Sequence, residues 1–512
     1  MFEKNKLVKA LLAISLATSL AACGGGSSGS DNPPQDNKAQ DTSTSQPDES
    51  PKEGSPAPEE SPQPETDESA QPEAEEPPQT EAPADESYKA VSSLSVFDEA
   101  RFNTETDDQV MGPFTGISET GDTLVLWETS DYEIMSGRGW MSTLHYVTGN
   151  AETRTLEQVQ TLPLNVNVTS IDMKMGTSGS AVIIYTTSTD VNALTLTPGS
   201  GLLSSPIQLA STDEPKIRAL EVNSSGDAVL VWEETSGELV ARLYDAANQS
   251  WVMDGPALNR SESGALFESE GFTTVRMNDA GEILYTDSAI KAGESSSTLI
   301  TRAFNGTVWA DIIDHGNPLS PSSNDPSDIS ADLTPDGRIA VAVGRQAPGA
   351  VFVAQGSIET GLGDFVQTYS GYDTQRLSYL DVRWTGNNQM TSTFISNNIL
   401  ADRHYVARSE DAGQSWPVVV KNYETVSVED RAVTSNSENT IYIQDGAQCV
   451  SDNETFGAPL FAINHDGTIK GTCSINRMTD TSLAVNDSGQ GIVAGEHDAI
   501  DAVIIHFFES GY

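Results

Sequence analysis

A hairpin pattern recurs eight times between residues 112 and 496 of this 512-residue chain, and it restricts the fold more than any other feature. Each copy has a strand of alternating apolar residues, a tight turn rich in Asn, Asp and Gly, and a strongly apolar second strand. Successive turns are 47 to 58 residues apart. The central turn residues are Gly121, Gly179, Gly226, Gly281, Gly337, Asn388, Glu438 and Gly489. Glycine suits this place because it readily adopts the positive φ that closes a tight hairpin.

Each repeat leaves room for two further strands, for example residues 238–245 after the third hairpin. Four strands every fifty-odd residues, without helical periodicity between them, predict an all-β chain that forms a single β-propeller. The last repeat has a third strand over residues 502–509 but no fourth, while residues 93–98 are a strand candidate without a repeat of their own. We therefore expect eight four-stranded blades, the last one closed by residues 93–98. Seven blades remain the alternative if residues 346–381 or 444–477 are an insertion.

The N-terminus has the layout of an export signal. Three lysines precede an apolar stretch over residues 10–20, which is too short to span a bilayer, and Leu-Ala-Ala then leads to Cys23. This segment resembles the bacterial lipoprotein signal. The resemblance implies that residues 1–22 are a signal peptide and that Cys23 is diacylglycerylated and N-acylated. In a Gram-negative host, Gly24 at the next position implies an outer-membrane anchor, with the protein facing the periplasm or the exterior.

Residues 23–88 have the composition of a disordered tether. Twelve of the chain's 25 prolines lie between Pro33 and Pro83, and residues 24–88 carry 17 acidic side chains against two lysines. Such a segment cannot bury enough apolar surface to offset its chain entropy. The predicted organisation is therefore a signal peptide over 1–22, a lipidated tether over 23–88 and a folded domain over 89–512.

Residues 409–416 read Ser-Glu-Asp-Ala-Gly-Gln-Ser-Trp, with Ser409, Asp411, Gly413 and Trp416 at defined spacing. This octapeptide resembles the Asp-box of sialidase-like propellers, and looser relatives lie at residues 244–251 and 305–309. The resemblance implies a structural turn between the third and fourth strands of a blade. It supports the fold and says little about function.

Sialidase activity is not supported residue by residue. The enzymes of that family carry an Arg in a Phe/Tyr-Arg-Ile/Val-Pro sequence, which this chain lacks, and Arg101 has different neighbours. Another glycan-processing enzyme on this fold would need paired carboxylates at a defined separation, which sequence cannot measure. We therefore expect a non-catalytic propeller that binds a protein or glycan partner. The alternatives are an extracellular glycan-processing enzyme and an envelope-assembly scaffold.

The folded part, residues 89–512, carries 57 acidic against 22 basic side chains, and this net charge of −35 disfavours nucleic acid and anionic lipid surfaces as its partners. The expected membrane contact is through the acyl chains on Cys23 alone. We expect no cofactor and no metal site. Calcium stays open as an alternative at the Asp-rich stretches 324–328 and 332–336, although neither has the ligand spacing of a strong calcium loop.

Loops between the second and third strands share one face of a propeller, and loops are where binding residues concentrate. In this chain these loops vary in length and chemistry. The candidate binding residues on them are Tyr132, Arg138, Arg345, Asp445 and His497.

Cys449 and Cys473 are the two cysteines besides Cys23, and both lie in the seventh repeat. After export, two thiols in one repeat tend to pair. We expect a disulfide between them, and two buried free thiols are the alternative.

Overall fold

The computed structural model describes residues 95–103, 109–133, 139–317, 326–345, 349–370, 376–397, 402–416, 418–425, 431–435, 439–444, 449–451, 454–456, 458–464, 469–475, 478–497 and 502–510. All described residues belong to one compact unit, Pro83–Tyr512. Every regular element in these residues is a β-strand, so the predicted all-β fold is confirmed. No helix in the described part is long and apolar enough to cross a membrane.

The first strand, β1 (Ser95–Asn103), belongs to the last sheet, and four sheets then follow in chain order. Sheet 1 contains β2 (Gln109–Ile117), β3 (Asp122–Glu133), β4 (Gly139–Asn150), β5 (Thr155–Leu156) and β6 (Gln160–Pro163). Sheet 2 contains β7 (Ser170–Met175), β8 (Ala181–Thr186), β9 (Asp190–Leu196) and β10 (Ile207–Ser211). Sheet 3 contains β11 (Lys216–Val222), β12 (Ala228–Glu233), β13 (Leu239–Asp245) and β14 (Ser250–Ala257). Sheet 4 contains β15 (Phe267–Met277), β16 (Ile283–Lys291), β17 (Ser297–Phe304) and β18 (Ile313–Asp314).

Four more sheets complete the described part of the chain. Sheet 5 contains β19 (Pro326–Leu333), β20 (Arg338–Arg345), β21 (Ala350–Ser357), β22 (Gly361–Leu362) and β23 (Val366–Ser370). Sheet 6 contains β24 (Arg376–Trp384), β25 (Met390–Asn397), β26 (Asp402–Ser409) and β27 (Val418–Thr425). Sheet 7 contains β28 (Arg431–Ser435) and β29 (Asn439–Gln444), then, after a separate hairpin of β30 (Cys449–Ser451) and β31 (Glu454–Phe456), β32 (Ala458–Asn464) and β33 (Ile469–Ile475). Sheet 8 contains β34 (Thr479–Val485), β35 (Gln490–His497), β36 (Ala502–Glu509) and, as its fourth strand, β1.

The N-terminal strand pairs antiparallel with the C-terminal one, from Ser95 opposite Glu509 to Asn103 opposite Ala502. The strand predicted over 93–98 therefore lies in the expected sheet, but it continues to Asn103 after a register shift beyond Phe97. In addition, β2 of sheet 1 contacts β34 and β35 of sheet 8.

The hairpin turns have the predicted geometry. Six of the predicted turn glycines have φ between 76° and 87°, namely Gly121, Gly179, Gly226, Gly281, Gly337 and Gly489. In each of these turns the glycine N–H donates to the carbonyl three residues earlier, as from Gly226 to Asn223 at 3.1 Å. The positive φ explains why the repeat returns to glycine at this place.

Hydrophobic cores lie between neighbouring sheets. Val229 and Val231 of sheet 3 pack with Ile283 and Tyr285 of sheet 4, and equivalent clusters join other neighbouring pairs. One cluster joins sheet 8 to sheet 1 and contains Trp127, Val503 and Phe507 among others. Four-stranded meanders packed face to face in chain order support a β-propeller.

The free edge of β24, the first strand of sheet 6, is capped by side chains of β19 in sheet 5. Asp328, Ser330 and Asp332, at alternate positions of β19, accept hydrogen bonds from the backbone N–H groups of Leu380, Val382 and Trp384 at 2.8, 3.2 and 2.7 Å. These bonds satisfy backbone donors that an unpaired edge would leave exposed.

Candidate acid–base site between sheets 3 and 4

One carboxylate lies where four other sheets carry a buried aromatic ring. The second strands of the hairpins can be aligned with one another. We number each from the residue that pairs with the end of the first strand, which is Ala228 opposite Val222 and Ile283 opposite Met277. Counting from there, the fifth residue faces the preceding sheet, and in four sheets it is Trp127, Tyr185, Trp232 or Phe394. In sheet 4 the fifth residue is Asp287, whose side chain is fully buried. An acid at a core aromatic position breaks the repeat, and such breaks tend to mark functional or strained sites.

Asp287 accepts three hydrogen bonds from neutral hydroxyl groups. Ser269 Oγ and Thr273 Oγ1 donate to Oδ1, each at 3.0 Å, and Tyr285 Oη donates to Oδ2 at 3.0 Å. Burial raises the pKa of the Asp287 carboxyl to about 7, although the three hydroxyl donors and the charge of Arg218 oppose that rise. Both protonation states of Asp287 are therefore populated near neutral pH.

A second carboxylate lies on the face of sheet 3 that packs against sheet 4. Glu233 is the sixth residue of its second strand, so it shares the face of Val229 and Val231, which pack against sheet 4. Arg218 Nε donates to Glu233 Oε2 at 2.7 Å, and Nη2 donates to the same oxygen. The Arg218 and Glu233 side chains are 21% and 20% exposed, so this pair reaches solvent while Asp287 does not.

A bulge in β15 covers Asp287. Ser269 pairs with Ala289 and Thr273 with Asp287, so three residues of β15 oppose the single residue Ser288. At the centre of the bulge Gly271 has a φ of 96°, and a Cβ added there would lie 3.6 Å from Arg218 Nη1. Bulges re-aim side chains next to active sites, and this one brings sheet 4 against the arginine of sheet 3.

The arrangement can therefore combine an acid that titrates near pH 7, a second carboxylate at the surface and one guanidinium between them. Tyr285 is not a base here, because burial and the neighbouring Asp287 raise its pKa well above its ordinary value. Among the sheets whose hairpins are described, this is the boundary where the fifth and sixth positions place one acid on each of the two faces that pack together.

The predicted binding residues do not form this site. Tyr132, Arg345 and His497 were expected in loops, but they lie in the last two residues of β3, β20 and β35 because those strands extend further than predicted. The Arg345 guanidinium carbon lies 5.8 Å from the ring centroid of Phe352.

Other predicted residues fall outside what the structure describes. Arg138, Asp445 and Cys23 lie outside the described residues. Cys449 and Cys473 lie in β30 and β33, but their side chains are outside the described part. The predicted disulfide stays a prediction.

The Asp-box residues form a closed turn between β26 and β27, the third and fourth strands of sheet 6. Ser409 Oγ donates to Asp411 Oδ1 at 2.8 Å, Gly413 N–H donates to Ser409 Oγ at 2.7 Å, and Trp416 Nε1 donates to the Gly413 carbonyl at 3.0 Å. Hydrogen bonds from the side chain and backbone of Ser415 lower the pKa of Asp411 to about 2. The Asp411 carboxylate therefore accepts hydrogen bonds within its own turn and does not belong to the acid–base site.

The described aspartates among those considered for calcium have other partners, and Asp325 lies outside the described residues. Asp328 and Asp332 cap β24, and Asp336 pairs with Arg338 at 3.0 Å. Within the described residues no group of three or more His, Cys, Asp or Glu side chains is placed to hold a metal ion.

Sequence reasoning missed Asp287 because it placed this residue at the start of a loop. The structure continues β16 to Lys291. Aligning the repeats by their turn glycines would have placed Asp287 at the position equivalent to Trp232. It would thus have revealed that an acid replaces an aromatic residue there.

No protein-family model matches the chain, and no curated protein sequence matches it. Among solved structures it is similar to an ulvan lyase of the polysaccharide lyase family PL25, bound to -[GlcA(1-4)Rha3S]-, with a TM-score of 0.42, 9% identity, and coverage of 74% of this chain and 96% of that one. It is also similar to an α-L-arabinanase of Penicillium chrysogenum (TM-score 0.37, 12% identity, 58% of this chain and 92% of that one). An α-L-arabinofuranosidase of Fusarium graminearum gives a TM-score of 0.36 and 11% identity, over 57% of this chain and 92% of that one.

These neighbours correct one expectation. We expected a non-catalytic binding domain, whereas the three structures are glycan-processing enzymes, so that interpretation is not retained. At such low identity and similarity, the case for activity has to come from the residues of this chain.

Proposed function

We propose that this protein is a glycan-processing enzyme that acts through Glu233 and Asp287. The observation that carries the proposal is the buried Asp287, which stands where other sheets hold an aromatic ring and titrates near pH 7 beside the Arg218–Glu233 pair. Paired carboxylates with different environments are the usual apparatus of glycoside hydrolysis.

The two carboxylates divide the work by environment. Asp287 holds a proton for part of the time at neutral pH and donates it to the oxygen of the scissile bond. Glu233, held by Arg218, stabilises the cationic transition state or activates water on the opposite side. Since Asp287 lies beneath the Ser269–Thr273 bulge, substrate contact requires that bulge to move.

The substrate is a neutral glycan. The chain carries a net charge of −48, which repels a polyanionic polysaccharide. The described arginine at the site is already paired with Glu233 and is not free to bind a uronate. Hydrolysis is therefore favoured over elimination from an acidic sugar.

The proposed architecture is a propeller of eight blades whose ring is closed by β1. Three contacts support it, namely the pairing of β1 with β36, the contact of β2 with β34 and the core cluster shared by sheets 8 and 1. The described strands of sheet 7 form a sheet of their own, which supports eight blades over seven.

The proposed location is the cell envelope, with the chain anchored by acyl chains on Cys23 and extended from the membrane by residues 24–88. The resemblance of residues 1–23 to a lipoprotein signal supports this, and two or more acyl chains suffice for stable anchoring. A glycan outside the cytoplasm is then within reach of the enzyme.

The test is turnover of a panel of neutral and acidic polysaccharides by the purified chain. Newly formed reducing ends report cleavage, and the ultraviolet absorbance of unsaturated products separates elimination from hydrolysis. Glu233→Gln and Asp287→Asn should each lower kcat by about 100-fold or more. The matched control is Glu268→Gln, because Glu268 is exposed on β15 and lies outside the site. No turnover on any substrate, or full activity in both site variants, would refute the proposal.

A further inference from the structure

Arg218 of sheet 3 is bonded to Glu233, and its charge also acts on Asp287 of sheet 4. Its Nε and Nη2 donate to one oxygen of Glu233, while Nη1 is turned towards Gly271 in the bulge that covers Asp287. The charge of Arg218 acts on both Asp287 and Tyr285. The guanidinium is therefore bonded to Glu233 and lies close to the bulge whose Ser269 and Thr273 donate to Asp287.

The groups around Asp287 leave Arg218 as the cation available to it. β15 contributes the hydroxyls of Ser269 and Thr273, and β16 contributes Tyr285. Glu270 of the bulge accepts from Ser288 Oγ at 2.7 Å, and Ser288 points to the opposite face of β16 from Asp287.

Other cations on these sheets have partners elsewhere, as Arg276 of β15 donates to the carbonyl of Ala331 at 2.8 Å. Arg302 of β17 donates to the carbonyls of Ala310 and Ala257 at 2.7 and 2.9 Å. On sheet 3, β12 contributes Glu233 and β11 contributes Arg218. Two carboxylates therefore compete for one guanidinium.

We propose that Arg218 is a positioning residue that moves between Glu233 and Asp287 as Asp287 gains or loses its proton. This inference rests on the proposed function of the same two carboxylates. With Asp287 protonated, Arg218 stays on Glu233 and covers it. With Asp287 charged, the guanidinium is drawn beneath the bulge and Glu233 is released to solvent.

The direction of the change follows from the charges. Below pH 7 Asp287 is mostly neutral and offers the guanidinium only weak acceptors. Above pH 7 it is a buried anion, and a cation nearby stabilises a buried anion far more than an exposed one. Rising pH should therefore loosen the Arg218–Glu233 bond.

The experiment is a ¹³C NMR titration of the side-chain carboxyl carbons, recorded on the purified full chain without substrate. The Glu233 signal is assigned by its loss in Glu233→Gln, and the Glu268 signal serves as the control. We expect the Glu233 signal to show an inflection near pH 7, where Asp287 titrates.

Three variants identify the cause of the inflection. Asp287→Asn and Arg218→Gln should each abolish it, and Arg218→Lys, which keeps the charge, should retain it. A Glu233 signal without an inflection near pH 7, or an inflection that persists in Arg218→Gln, would overturn the proposal. If Arg218→Gln does not fold, the contrast between Asp287→Asn and Arg218→Lys decides.

The titration and the turnover assay fail independently. The titration needs no substrate, so an inactive chain that still shows the coupled inflection would refute only the proposed function. An active chain without the inflection would refute only the movement of Arg218.

Discussion

Asn486 donates from Nδ2 to the backbone carbonyl of Ser118 at 3.0 Å, although 368 residues separate them in the chain. Both residues begin a hairpin turn, in sheet 8 and sheet 1 respectively. The same bond joins Asn223 to Asn278 and Asn278 to Thr334 in neighbouring sheets, at 3.2 and 3.1 Å. The last sheet thus contacts the first through the same turn-to-turn bond that neighbouring sheets use.

Replacing Asn486 by Asp should weaken this contact. The change keeps the Oδ1 acceptor used by the Gln490 N–H but sets an oxygen against the Ser118 carbonyl. We expect a loss of about 1–3 kcal/mol of unfolding free energy, measured by denaturant titration. Asn223→Asp is the matched control, since it loses the equivalent bond between adjacent sheets. A neutral Asn486→Asp beside a destabilising Asn223→Asp would show that the ends do not meet in this way.

Removal of β1 should lower the melting temperature sharply. A chain that starts at residue 88 keeps β1 and should melt like the full chain, because the tether composition predicts little buried surface. A chain that starts at residue 104 loses the partner of β36 and the contact of Phe102 with Trp127, whose ring centroids are 5.8 Å apart. Equal melting temperatures in calorimetry would contradict the pairing.

Asp287 should make the protein less stable as the pH rises. Its pKa is raised from 3.8 to about 7 on folding, so its stabilising effect is complete below pH 3.8 and is lost as the pH rises through 7. The loss is on the order of 4 kcal/mol. Asp287→Asn should flatten the stability curve between pH 4 and pH 7, and Glu268→Gln should not. An unchanged slope in Asp287→Asn, measured by denaturant titration at each pH, would contradict the assignment.

Cys449 and Cys473 should form a disulfide. β30 carries Cys449 and pairs with β31, and β31 contacts β33, which carries Cys473. The bond would stabilise the folded chain by roughly 3 kcal/mol, less any strain. Intact mass after alkylation without reduction measures it, and a Cys449→Ser variant supplies the free-thiol control. Two alkylated residues in the denatured, unreduced wild type would exclude the bond.

Cys23→Ala should release the protein from the membrane or leave an uncut precursor. The expected cause is the loss of the acyl chains that hold the mature chain at the bilayer. Fractionation with a carbonate wash, followed by mass determination of the N-terminus, measures both outcomes. A processed variant that remains in the membrane fraction would refute lipid anchoring at this residue.

The fold followed from the sequence where local rules decide it. Turn glycines such as Gly226 and Gly281 were predictable because a positive φ is a property of one residue in its own turn. The ends of strands were less predictable, and β3 and β16 run several residues into segments that looked like loops. Pairing with a neighbouring strand sets these ends, and that partner is not visible locally.

The acid–base site was not predictable in the same way. Glu233 and Asp287 belong to different sheets, and their approach depends on how the cores of sheets 3 and 4 pack. The pKa of Asp287 depends on its burial beneath the bulge of β15, which no periodicity in the sequence indicates. The chemical identity of each residue was available, but their relative position was not.

The pairing of β1 with β36 also affects the order in which the domain can be completed. β1 is synthesised first, yet its partner emerges about 400 residues later. Until then β1 is a strand with open backbone donors and acceptors, a state that favours association with other chains. A contact of such long range also slows folding. A nascent chain that loses its final residues, from Ala502 onwards, lacks β36 and leaves β1 without its partner in sheet 8.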